Sequence, residues 1–63
     1  MEGRDARRVD LWITTLRDER ATKPVKAKAA CRLCAFIVAQ PAEWRDTAQG
    51  RDALGALSGY EEA

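Results

Sequence analysis

Two thiols one helical turn apart, Cys31 and Cys34, form the one spacing in this chain that belongs to a known chemistry. A C-x-x-C pair becomes a redox couple when it sits at a helix N-terminus, where the helix dipole favours the thiolate. Here the pair follows Ala29-Ala30 and lies about two turns inside an apolar helical pattern, so dithiol–disulfide exchange is not expected. Zinc needs four ligands, and a chain without histidine that carries one C-x-x-C supplies two. Only a symmetric dimer, bringing two pairs together, would make a four-thiolate site of Cys31 and Cys34. Cysteine otherwise packs as a small hydrophobe, and packing is the preferred reading. No metal and no cofactor are expected.

The second chemical feature is a run of charge. Arg20, Lys23, Lys26, Lys28 and Arg32 stand in a stretch from Arg20 to Ala42 that holds no acid. The three lysines crowd the start of a helix, the end whose partial positive charge disfavours cations by a few tenths of a kcal/mol each, roughly, when exposed. Three explanations stay open. The lysines are solvated and screened, they are neutralised by Asp52, Glu61 and Glu62 from an antiparallel neighbour, or they meet an anionic partner through lysines and free helix-start amides together.

General catalysis finds little to use. The chain has no histidine, no asparagine and a single serine, Ser58, so the usual nucleophile–base pairs cannot be assembled and no enzyme is expected. The overall charge of +1 gives no global argument for nucleic acid or membrane. The charge is nevertheless unevenly placed, since residues 1–32 are net basic and residues 33–63 net acidic.

The elements that must position these groups are helices. Val9, Trp12, Ile13 and Leu16 recur at helical spacing, with Ala6 and Arg20 extending the stripe and Arg7, Leu11, Thr14 and Asp18 opposite. Leu11 is the large apolar residue on that outer side. Ala21-Thr22-Lys23-Pro24 reads as a helix start, because proline suits the first turn and restricts the residue before it. The second segment, Pro24 to about Ala39, is apolar over most of its circumference, with Val25, Leu33, Phe36 and Ile37 as its core or dimer face. Gln40-Pro41 ends it and opens a third segment. There Trp44, Thr47 and Ala48 share one phase and Leu54, Leu57 and Tyr60 another, so a break is expected at Gly50, with Asp52 capping a second short helix to Ser58.

The expected architecture is all-α: one domain over residues 1–63, a small bundle of three helices with the third broken near Gly50, and frayed ends at 1–4 and 59–63. A chain of 63 residues is near the lower limit for folding alone. Its hydrophobic fraction of 46% includes twelve alanines, so the bundle is expected to be completed by dimerisation through the second helix. The longest apolar run, Leu33 to Ala39, is far short of a membrane span. With charged residues following Met1, no leader or membrane contact is expected, and cytoplasmic residence with reduced thiols follows. The excess of arginine over lysine, with the alanine content, fits a bacterial or phage source.

The function these features favour is a non-enzymatic helical interaction module, a small regulator or inhibitor that binds another protein and self-associates. The alternative is a nucleic-acid-binding accessory protein contacting phosphates through residues 20–32. A helix-turn-helix reader fits poorly, since the second helix is mostly apolar where base-reading side chains would stand.

Overall fold

The stripe Val9, Ile13 and Leu16 organises the molecule. A computed structural model describes residues 3–62, and in it these three side chains are buried on α1 (Gly3–Arg17), while Trp12 is half-buried and Leu11 is 64% exposed. α1 ends at Arg17, so Arg20 belongs to the following turn and does not extend the helical stripe. That turn is closed by the Ala21 amide donating to the Asp18 carbonyl (3.2 Å) and the Arg20 amide donating to the Asp18 carboxylate (2.9 Å), an aspartate bonding to backbone two residues on.

α2 (Lys23–Ala39) starts one residue before Pro24, with Thr22 in extended conformation at its N-cap and no side-chain cap bond. It buries Ala29, Ala30, Leu33 and Ile37. Gln40 terminates it in extended conformation, its amide donating to the Ile37 carbonyl (3.2 Å).

The third segment is not broken at Gly50. Residues Ala42–Asp46 form a short 3-10 helix, and α3 runs from Ala48 to Glu62 without interruption. The break falls at Thr47, which is extended and caps α3: its Oγ1 accepts from the Gly50 amide (3.0 Å) and donates to the Trp44 carbonyl (2.6 Å). This is the N-cap to third-residue bond that satisfies an otherwise orphaned helix amide. Gly50 has a different use. A Cβ there would lie 2.8 Å from the Arg45 Cα and closer still to the Trp44 carbonyl oxygen, so the 3-10 turn folds back onto the first turn of α3 only because that position lacks a side chain. Asp52, expected as a cap, lies inside α3 and pairs with Arg17 (2.6 Å).

The expected frayed tail at 59–63 is helical through Glu62, with Tyr60 half-buried against the core; residue 63 lies outside the described residues. At the other end Gly3 and Arg4 are already helical, and residues 1–2 lie outside the described residues. The all-α bundle is therefore borne out, with three helices and no strand among the described residues.

α1 is the hub: it packs on both α2 and α3, which touch each other less. The core comprises Val9, Ile13, Leu16, Ala29, Ala30, Leu33, Ile37, Trp44, Ala53, Ala56 and Leu57. An aromatic relay seals one side of it. Trp12 stands edge-to-face to Phe36 (6.0 Å between centroids), and Phe36 edge-to-face to Trp44 (5.5 Å), joining α1, α2 and the 3-10 helix in the geometry aromatic pairs prefer.

Candidate functional site

The five basic residues singled out from the sequence do not form one surface. At about 100° per residue, Lys23 and Lys26 fall on the side of α2 that turns toward the end of α3, while Lys28 and Arg32 fall on the side toward the outer edge of α1. The grooves follow this division. One, of about 620 Å³, is lined by Leu16, Pro24, Ala27 and Tyr60 together with Lys23 and Lys26. A second, of about 300 Å³, is lined by Trp12, Thr15, Val25 and Ala29 together with Lys28 and Arg32. Arg20 sits in the exposed turn between the helices.

Neutralisation from α3 takes a form other than the one expected. Asp52 is drawn to Arg17, whose guanidinium also donates to the Asp52 carbonyl (3.4 Å), and it pairs with none of the three lysines. The side chains of Glu61 and Glu62 lie outside the described residues.

The expected core or dimer face of α2 divides as well. Leu33 and Ile37 are buried within this one chain and Phe36 is half-buried between two tryptophans, whereas Val25 is 50% exposed. Leu33 and Ile37 are thus core residues, and a second copy would have to use another face.

That other face is well defined. Cys31 and Cys34 are both free and exposed, against the expectation that they pack in the interior. Ala27, Ala35 and Val38 are exposed beside them, Val38 at 78%. No charged side chain interrupts the sector from Cys34 through Ala27, Val38 and Cys31 to Ala35, about 100° of the circumference.

Sequence reasoning passed over one surface. Arg4, Arg7 and Arg8 surround exposed Leu11 on the outer face of α1 and line a shallow groove with it. Their common face is legible on a helical wheel, where Arg4, Arg7 and Arg8 fall within about 100° of one another around Leu11.

Among the described residues no group of three or more His, Cys, Asp or Glu is placed to hold a metal within one chain, and no helix is long and apolar enough to cross a membrane. Nor is any buried side-chain polar atom left without a hydrogen-bond partner among them. Comparison with protein-family models, curated proteins and solved structures finds no match.

Proposed function

We propose that this chain is a non-enzymatic helical interaction module, a small regulator or inhibitor that works by binding another protein and pairs with a second copy of itself through α2. The observation that carries the first half is the groove between the start of α2 and the end of α3. Its floor is apolar, from Leu16, Pro24, Ala27 and Tyr60, and Lys23 and Lys26 stand in its lining. Such a groove fits a partner segment that carries an apolar side chain next to a carboxylate: burial supplies affinity, and the lysines select the neighbouring charge.

Selection of peptides from a random library on the immobilised chain tests this. The expected outcome is enrichment of Asp or Glu beside Leu, Ile or Phe, and loss of that binding in Lys23→Glu/Lys26→Glu at unchanged helicity. Absence of enrichment, or binding that survives the double charge reversal, refutes the reading.

A second reading has its own observation. Lys28 and Arg32 flank Trp12 in the α1–α2 groove, and Arg4, Arg7 and Arg8 add a further basic surface on α1. Together these fit sequence-independent contact with phosphates. Titration with labelled duplex and single-stranded DNA and RNA at low and physiological salt separates the two readings. A steep salt slope supports nucleic acid, and absence of binding at low salt removes it.

A further inference from the structure

The geometry points to a zinc site built by two copies of this chain, in which Cys31 and Cys34 of each supply four thiolates across an antiparallel α2–α2 seam; this rests on the self-association proposed above. Cysteine is among the residue types most often buried, yet here both thiols are exposed on one uncharged face, a single turn apart. Residues three apart on a helix point to the same side, so the pair can hold one metal ion from one direction. One chain offers no third ligand among its described residues, and a tetrahedral structural zinc takes four. The site is incomplete without the second copy.

The sequence of the face sets how that copy lies. Pro24, Ala27, Cys31, Cys34 and Val38 follow the 3-4-3-4 spacing of a helix–helix seam, and all are exposed. If a two-fold axis passes midway between Cys31 and Cys34, Cys31 faces Cys34 of the second copy. Ala27 then faces Val38, so a small residue meets a large one at each end of the thiol layer. The parallel alternative stacks Val38 on Val38 and brings the lysine-rich starts of both helices together.

Charge also favours the antiparallel pair. The basic start of each α2 is laid along the C-terminal half of the other, which carries no cation after Arg32 and ends in the negative pole of the helix. Finally, zinc held by four thiolates has a net charge of −2, and Lys23 and Lys28 of both copies flank the seam on either side. A stretch without acids around a thiol pair, costly at a bare helix start, complements the charge of such a dianionic centre. On binding, the four thiols release their protons to solvent as the metal–sulfur bonds form.

The test uses the whole chain, reduced and stripped of metal, titrated with zinc while its mass is followed by sedimentation equilibrium. The site predicts saturation at about half an equivalent per chain, a shift toward dimer on zinc addition, and a tetrahedral thiolate spectrum when cobalt replaces zinc. Cys31→Ser is expected to lose all three signals with helicity unchanged, since the residue is exposed. Val38→Glu leaves both thiols in place and lies outside the partner groove, but puts a charge opposite Ala27, and is expected to lose the dimer and the half-equivalent binding together. A dimer that takes up no zinc overturns the metal site and leaves self-association standing. A monomer with and without zinc overturns both, and so does one equivalent of zinc on a monomer.

Discussion

Adding one methyl group to α3 is expected to have opposite effects at two glycines nine residues apart. In general, alanine is favoured over glycine inside a helix by about 0.5–1 kcal/mol. At Gly59 a Cβ meets no atom within 4 Å, so Gly59→Ala takes that gain undiminished. At Gly50 the Cβ would lie 2.8 Å from the Arg45 Cα and 3.0 Å from the Trp44 carbonyl carbon. These are backbone atoms, with no flexible side-chain end to swing aside. Relief requires moving the 3-10 helix off α3, an overpacking cost of about 1–3 kcal/mol. That movement also stretches the Thr47 cap on the Gly50 amide, worth about 1 kcal/mol. The balance for Gly50→Ala is a loss of about 1–3 kcal/mol. In a domain of this size each kcal/mol moves Tm by about 4–8 °C, so Gly59→Ala is expected to raise Tm by about 2–8 °C and Gly50→Ala to lower it by at least about 4 °C. Thermal unfolding followed by far-ultraviolet circular dichroism, at one fixed chain concentration so that self-association cannot contribute to the difference in Tm, reads both. Tryptophan fluorescence in Gly50→Ala would report loosening around buried Trp44. A Gly50→Ala protein as stable as the parent, or two shifts of the same sign, would refute close approach as the reason for glycine at position 50.

Two further substitutions probe the same corner and its brace. Thr47→Ala removes an acceptor for the Gly50 amide and a donor to the Trp44 carbonyl; urea unfolding is expected to show a loss of about 1–2 kcal/mol, with Thr47→Ser recovering most of it. Asp52→Ala breaks the pair with Arg17, in which the side chains are 53% and 46% exposed. A loss of less than about 1 kcal/mol is expected, shrinking further in 1 M salt, and a larger loss insensitive to salt would contradict a solvated pair.

Helix number and the buried stripe of α1 are legible in the sequence because Val9, Ile13 and Leu16 keep strict helical spacing against a polar opposite face. The start of α2 is legible from Pro24, whose constraint is local. The boundary in the third segment was misplaced for a local reason too. Pro41-Ala42-Glu43 looks like an ordinary helix start, and nothing in it reveals the tighter 3-10 turn that Trp44 adopts when it is drawn into the core beside Phe36. Gly50 has the look of a helix stop, although its missing side chain serves close packing and the cap three residues earlier, Thr47, marks the true start. The fate of the cysteines was illegible for the opposite reason. α2 is apolar nearly all round, so its own pattern cannot say which side the rest of the chain covers. Only the narrow faces offered by α1 and α3 decide that Leu33 and Ile37 go in and Cys31 and Cys34 stay out.

The position of α1 between its two partners bears on the order in which the fold is assembled. α2 follows α1 after only the short turn at residues 18–22, so this pair forms its contacts at short sequence separation and low loop-closure cost. α3 also has its main docking surface on α1, across a longer stretch of intervening chain. Docking of α3 on α1 is therefore the less local of the two contacts and carries the larger loop-closure cost. The 3-10 helix sets the reach of that contact, since it turns the chain at Trp44 and aims α3 back toward α1.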